Sequence, residues 1–159
     1  SPVKYARFDI PEGRDLTAWD FYRDVIEADV LINVPIAKHH SLARLTLGGK
    51  NLMGVITSRN QIHRNLGQRI ADLTSLVRPT LTVVDAVRIL TAHGPSGGDL
   101  NDVTRADTVI ASADIVAADA YAATLFDLTG ADIGYVQAAA EMGLGTLDLG
   151  AVNVVEAEI

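Results

Sequence analysis

Cysteine is absent from this chain of 159 residues. Its absence excludes disulfide bonds, thiolate catalysis, and zinc or iron-sulfur clusters held by cysteines of this chain. Long apolar runs are also missing, because no stretch approaches the roughly 20 residues that a membrane-spanning helix needs. With a net charge of −7, the chain has little of the basic surface that binds nucleic acids or anionic membranes. We therefore expect a domain that binds neither nucleic acid nor a membrane, and we place it in the cytoplasm.

Acidic residues are absent from one long stretch, the acid-free window from Val30 to Ala71. By contrast, residues 85–159 contain twelve acids and two bases. The window holds six Lys and Arg residues and three of the four histidines, namely Lys38, Arg44, Lys50, Arg59, Arg64, Arg69, His39, His40 and His63. This segregation indicates either a solvated acidic surface elsewhere or a cationic pocket that attracts a small anion.

The apolar pattern indicates one domain, over residues 1–159, of the α/β class. Hydrophobic residues make up 48% of the chain, which is enough for a sizeable core. Short β-branched runs alternate with helical segments, which is typical of a mainly parallel sheet with helices on both faces, a three-layer α/β/α arrangement. The predicted strands are 3–10, 29–35, 80–87, 106–112 and 152–159, and the predicted helices are 15–26, 68–77, 115–126 and 133–142.

The basic residues at the start of the acid-free window follow a predicted buried strand. Pro35 ends that strand, because proline cannot donate a hydrogen bond to the ladder. Lys38, His39 and His40 come next. In open α/β sheets ligands bind at the carboxyl ends of strands, so we expect a site at this position.

Glycines mark two further segments. Gly48 and Gly49 precede Lys50, and two glycines allow close backbone approach or an anion-binding nest of amides. A P-loop is excluded, since it would need glycine at Arg44 and Ser or Thr at Asn51. The second segment, residues 94–98, is a glycine-rich connection that either turns the chain or cradles a ligand.

Asp119 interrupts a predicted helix that is otherwise apolar on every side. A buried carboxylate must find hydrogen-bond donors or a cation. Two interpretations stay open: a structural carboxylate held by backbone amides or tyrosine hydroxyls, or a functional partner for Lys38, Lys50 or a metal ion.

Several motifs occur in a characteristic order: INVPIAKHH, TLGGKNLMGVI, IHR, LTVVDAV, HGPSGG, ASADIVAADAYAA and GLGTLDL. Together they resemble the DUF362 family of uncharacterised prokaryotic proteins, over about residues 28–149. The family motif K-x-H matches Lys38 and His40, while Ile36 stands where many members have lysine. The remaining matches are Lys50, Asn51 and Gly54 on K-N-x-x-G, His63 on a later histidine, Asp85 on V-D, Gly94 and Gly97 on G-P-x-G, and Asp114 and Asp119 on a paired Asp motif.

The resemblance also carries implications for organisation and partners. Family members usually have a longer N-terminal part, which implies that this chain is a fragment or a short form. Some members are joined to ferredoxin-like iron-sulfur modules. Because this chain has no cysteine, the resemblance implies only a partnership with such a module, not a cluster of its own.

Three functions remain open from the sequence. The first is an acid/base or metal-assisted enzyme acting on a small anion, with His40, Lys50 and His63 as catalytic candidates and Lys38, Asn51, Gly54, Gly94 and Gly97 as substrate-binding candidates. The second is a divalent metal site, with Asp85, Asp114 and Asp119 as ligands for Mg, Mn, Fe or Zn. The third is a non-catalytic domain that binds a ligand or an iron-sulfur partner. For the first, we expect one pocket formed by Lys38, His40, Lys50 and Asp119.

Overall fold

The computed structural model describes residues 4–96 and 98–158. Its strands are β1 (Tyr5–Asp9), β2 (Ala18–Tyr22), β3 (Ile32–Asn33), β4 (Ile36–His40), β5 (Arg44–Thr46), β6 (Leu81–Leu90) and β7 (Val103–Ser112). Its α-helices are α1 (Arg23–Ile26), α2 (Gly48–Asn51), α3 (Leu66–Val77), α4 (Ile115–Thr124) and α5 (Gly134–Glu141). Short 3-10 turns include Leu52–Val55 and Arg59–Asn65.

The main sheet is mixed, although the α/β class is confirmed. β3 and β4 pair in parallel with β6 in one register, since Ile32 lies opposite Leu81 and Ile36 opposite Asp85. β3 and β4 therefore lie end to end along the same side of β6. They are separated at Pro35, whose carbonyl accepts the Asp85 amide at 2.8 Å. β5 pairs with β4 and β7 pairs with β6, both in the antiparallel direction. Each of these strands follows its partner in the chain through a connection without a crossover helix.

The two faces of the main sheet differ in cover. On one face, Val84 and Ala86 of β6 are buried, and α4 packs against β6 and β7. On the other face, Ile32, Val34 and Ile36 are 54–60% exposed, and Val109 of β7 is 61% exposed. Within the described residues the expected three-layer arrangement is therefore not seen, because apolar side chains of this second face lie open.

The N-terminal region corrects one predicted helix. Residues 15–26 contain β2 and only a one-turn helix, α1, instead of a continuous helix. The reason is aromatic packing across a hairpin: β1 and β2 are antiparallel, and the rings of Phe8 and Phe21 meet edge-to-face with centroids 6.3 Å apart. Phe21 is completely buried, as the alternating pattern of a strand allows.

Asp72 of α3 ties the β1–β2 hairpin to the rest of the molecule. Its carboxylate is fully buried and accepts the backbone amides of Arg14, Asp15 and Leu16 at 2.8–2.9 Å. The side-chain amide of Gln68 donates a fourth bond at 2.8 Å. The loop that joins the two hairpin strands thus donates its amides to a side-chain carboxylate of α3 instead of to backbone carbonyls.

Most other predicted elements are confirmed with shifted bounds. α3, β6, β7 and α5 cover the predicted segments, and α4 begins after Asp114, whose carboxylate accepts the Val116 and Ala117 amides. The predicted C-terminal strand is wrong for residues 152–158, which have no strand, while Ile159 lies outside the described residues. Across the described ranges, no helix has the length and apolar character needed to cross a membrane.

Candidate functional site

β4 carries the first basic residues of the site within the strand itself. Lys38, His39 and His40 lie in β4, paired with β5, and not beyond a strand end as the sequence indicates. The facing strand β6 contains a bulge, because Ile36 pairs with Asp85 but Lys38 pairs with Leu90. Moving two residues along β4 therefore corresponds to moving five residues along β6. Bulges of this kind re-aim side chains and are frequent beside functional sites.

His40 is held as a neutral hydrogen-bond donor. Its Nδ1 accepts the amides of Leu42 and Ala43 at 3.1 and 3.2 Å, which assigns the ring proton to Nε2. Burial lowers the pKa of His40, and the positive charges of Lys50, His63 and further basic neighbours lower it more. At neutral pH the ring can therefore donate a hydrogen bond from Nε2, while Nδ1 is fully occupied by the backbone.

Lys50 has an unusual environment for an ammonium group. It is half-buried, and its Nζ donates to the thioether Sδ of Met53 at 3.1 Å. Burial lowers the pKa of Lys50, as do the positive charges of Arg59 and Lys38. In the part of the chain that the structure describes, Lys50 forms no salt bridge.

These residues define the basic cluster: Lys38, His39, His40, Lys50, Arg59 and His63. Lys38, His39 and His40 are adjacent in β4, and the positive charges of Lys38, His39, Lys50 and His63 each lower the pKa of His40. Arg59 and His63 come from the 3-10 turn at Arg59–Asn65. Arg59 was not among the residues that the motifs singled out, although the acid-free window contains it.

The short helix α2, which carries Lys50, is positioned by Asp119. Asp119 is 2% exposed, and its two oxygens accept the Gly48 amide at 2.6 Å and the Gly49 amide at 2.8 Å. The carboxylate of α4 thus satisfies orphan amides at the start of α2. Of the two interpretations of Asp119, the geometry supports a structural carboxylate held by backbone amides, directly behind Lys50.

Burial dominates the protonation of Asp119. It raises the pKa of Asp119 from 3.8 to about 7, against the lowering effect of the Gly49 and Gly48 hydrogen bonds, and the charge of Asp114 raises it further. Burial, together with the charge of Asp119, also raises the pKa of the neighbouring Tyr135 hydroxyl. The support of α2 is therefore sensitive to protons near neutral pH.

Asn33 provides a second support for α2, and sequence reasoning did not assign it to the site. Its Nδ2 donates to the Gly48 carbonyl at 3.0 Å, and its Oδ1 accepts from Asn51 at 2.8 Å. Asn51, expected to bind substrate, therefore uses its side chain to anchor α2. A buried polar residue inside the apolar run before Pro35 was the signal that could have identified Asn33.

Gly48 is required because of the close approach of Asp119. A Cβ placed at Gly48 would lie 2.7 Å from Asp119 Oδ1, closer than carbon and oxygen can pack. We expect Gly48→Ala to lower the free energy of unfolding by about 1–3 kcal/mol, as overpacking does. Urea unfolding monitored by circular dichroism measures this change. Gly54→Ala is the control, since a Cβ there meets nothing within 4 Å; equal losses in both variants would contradict the prediction.

Two of the remaining substrate-binding candidates, Gly94 and Gly54, are hydrogen-bonded to members of the basic cluster. The Gly94 amide donates to Nδ1 of His39 at 3.0 Å, and a Cβ at Gly94 would clash with the His39 carbonyl, so this loop packs directly on β4. Gly54 is exposed, and its carbonyl accepts from Arg59 at 2.9 Å. Gly97 lies outside the described residues.

The three proposed metal ligands are not brought together. Asp85 accepts the Val87 amide at 3.0 Å, Asp114 caps α4 and accepts the Thr146 amide at 3.0 Å, and Asp119 holds α2. For residues 4–96 and 98–158, no group of three or more His, Asp or Glu side chains has a metal-binding arrangement. A divalent metal at these carboxylates stays a prediction from sequence.

An open cleft of about 480 Å³ lies beside the histidines of β4. It is bounded by β4, β5 and the residues after α4, with lining from His39, His40, Ser41, Arg44, Thr91 and Leu125–Leu128. Of the four residues expected to form one pocket, His40 lines this cleft, Lys38 and Lys50 are not among its lining residues, and Asp119 is buried behind α2. A larger cleft of about 930 Å³, between β7, α4 and residues 152–158, contains no member of the basic cluster.

Comparisons with known proteins agree with the motif resemblance. The model of the family "Domain of unknown function (DUF362)" matches residues 3–124. A curated relative, the thylakoid-associated protein sll1697 of Synechocystis sp. (strain ATCC 27184 / PCC 6803 / Kazusa), is 26% identical over 131 residues, which cover 77% of this chain. The matched region is 40% of the relative's own length. No solved structure matches the chain.

The family match contains β1 to β7 and all of α4, so it includes every residue of the basic cluster and its support, Asp119. A cytoplasmic location stays a prediction. With the motifs and the family model in agreement over most of the sequence, the chain belongs to the DUF362 family.

Proposed function

We propose that this domain binds a small anionic ligand at the basic cluster. The observation that carries the proposal is uncompensated charge: the half-buried Lys50 donates from Nζ to the Met53 thioether, and the basic cluster also holds Lys38 and Arg59. Among the described residues, none of the three pairs with a carboxylate. Like charges held together are costly unless a counter-ion relieves them, and a carboxylate or phosphate ligand does so.

The burial of His40 and Lys50 favours a ligand site over a docking surface, while Arg59 and His63 at the edge of the cluster are exposed. His40 is 8% exposed and Lys50 is half-buried, whereas a surface that docks an iron-sulfur protein would present its charges to solvent. The Nε2 proton of His40 adds a directional donor to the lysine and arginine charges. Binding to a ferredoxin-like partner remains the alternative function.

Thermal unfolding tests anion binding. We expect phosphate, sulfate, pyruvate or citrate, at constant ionic strength, to raise Tm above the value in chloride, because a ligand that binds only the folded chain stabilises it. At a hundred times Kd the gain is about 2.7 kcal/mol. For a domain of this size that gain corresponds to several degrees. No rise with any of the anions would contradict the proposal.

Charge variants locate the site. Lys38→Met and Arg59→Met should each weaken binding by about tenfold, which corresponds to about 1.4 kcal/mol. Arg64→Met is the matched control, because this substitution also removes one positive charge. Arg64 lies exposed in the same 3-10 turn as Arg59. Isothermal titration measures all three. Equal weakening by Arg64→Met would show that net charge, not this cluster, attracts the anion.

A further inference from the structure

The amine of Lys50 lies against an apolar wall. Leu52 and Met53 are buried, and the atom that accepts from Nζ is the thioether of Met53, at 3.1 Å. A thioether is a weak acceptor and gives little stabilisation to an ammonium charge. The surroundings therefore favour the uncharged amine, which is the nucleophilic form.

Positive neighbours act in the same direction. Arg59 and Lys38 both lower the pKa of Lys50, in addition to burial. An amine that is desolvated and placed beside other cations is activated for attack on carbonyl carbons. The same cations that activate the amine can hold the negative end of a substrate.

We infer that Lys50 is a nucleophile that forms an imine with a small 2-oxo acid, whose carboxylate is bound by Lys38 and Arg59. This inference rests on the proposed function, because it names the substrate class of the same site. It assigns Lys50 a covalent role in place of a role as a fixed positive charge. The support of α2 by Asp119 and Asn33 then serves to hold the amine in position.

The covalent step balances without an oxidant or reductant. The nitrogen lone pair attacks the carbonyl carbon, and the amine loses one proton while the carbonyl oxygen gains one, which gives a carbinolamine. The nitrogen then gives up its second proton, the hydroxyl group gains one and leaves as water, and a carbon–nitrogen double bond forms. The Nε2 proton of His40 can hydrogen-bond the oxygen in this step.

Borohydride trapping tests the inference on the full chain. The protein is incubated with pyruvate near neutral pH, reduced with sodium cyanoborohydride, digested and mapped by mass spectrometry. The chain has three lysines, Lys4, Lys38 and Lys50, so exposed Lys4 is an internal reference. We expect Lys50 to be labelled at least about tenfold faster than Lys4, since an activated amine is uncharged at lower pH. Equal labelling of the two would overturn the inference.

Variants separate activation from carboxylate binding. Lys38→Met should slow labelling of Lys50 by both pyruvate and the uncharged probe propionaldehyde, because removal of a like charge raises the pKa of Lys50. The loss should be larger with pyruvate, since its carboxylate also loses a partner. Lys50→Arg, which keeps the charge, should abolish labelling at that position, and Arg64→Met should change neither rate. Faster labelling in Lys38→Met would contradict the assignment.

The two proposals fail in different ways. If pyruvate raises Tm but Lys50 is labelled no faster than Lys4, the anion site stands and the imine inference fails. If no anion raises Tm, the proposed function fails. Fast labelling by propionaldehyde but not by pyruvate would retain an activated amine and overturn the assignment of a 2-oxo acid.

Discussion

Replacing Asp72 with alanine should lower the free energy of unfolding by about 3–5 kcal/mol, which is a large part of the stability of an ordinary domain. Asp72 is fully buried and accepts three backbone amides from residues 14–16. Alanine leaves these donors without an acceptor, and each buried unsatisfied donor costs about 1–3 kcal/mol. The ion pair between Arg69 and Asp15, at 2.8 Å, keeps the loop near α3, so we expect the variant to fold.

Two variants serve as controls for this prediction. Asp72→Asn keeps the volume and one oxygen acceptor but turns an amide donor toward backbone donors, so its loss should be intermediate. Asp29→Ala removes an exposed acid and should change stability by less than about 0.5 kcal/mol. Urea unfolding measures all three, with hydrogen exchange at Leu16 to detect local release of the hairpin. A loss below about 1 kcal/mol for Asp72→Ala would show that water replaces the carboxylate without penalty.

The second large effect is a loss of stability as pH rises, caused by Asp119. Its pKa is raised from 3.8 to about 7 in the folded chain. Between these values the folded state binds more protons than the unfolded state, so stability falls with rising pH. The contribution is complete below the unfolded pKa and is lost as pH passes through the folded value. At about 1.36 kcal/mol for each pKa unit, the loss is of the order of 4 kcal/mol.

Asp119→Asn isolates this contribution from those of other groups. Asparagine resembles the neutral carboxyl group and does not titrate, so its unfolding free energy should change less between about pH 5 and pH 8 than that of the parent chain. The variant should therefore gain stability relative to the parent as pH rises. Asp29→Asn, at an exposed position, should keep the parent's pH profile. Parallel profiles for the parent and Asp119→Asn, from urea unfolding at constant ionic strength, would contradict the assignment.

Elements with a strong local signal were predictable from sequence. α4 has a capping residue, Asp114, and α3 has a regular apolar stripe, so both lie close to their expected positions. β2 was missed because its aromatic residues fit a helical stripe as well as strand alternation, and only the packing of Phe8 on Phe21 decides between them. The mixed sheet was missed because strand direction depends on connections whose geometry has no simple sequence signal.

The site also contains residues that the local sequence identifies and residues whose roles depend on contacts distant along the chain. The acid-free window identified Lys38, His40 and Lys50, because the lack of neighbouring carboxylates can be read from composition. The support of α2 could not be read in this way. Asp119 was open to two interpretations, since its partners at Gly48 and Gly49 are 71 and 70 residues away in the chain. Tertiary contact alone establishes that its oxygens accept these two backbone amides.

This distance along the chain has a consequence for the order of folding. A helix as short as the four residues of α2 is not stable by itself, because nucleation outweighs the few hydrogen bonds that it forms. The carboxylate that completes it arrives with α4, through a contact of high sequence separation, and such contacts form slowly. During synthesis, the acid-free window would leave the ribosome well before its support exists. The partly buried environment of the Lys50 amine would then be complete only in a fully folded molecule.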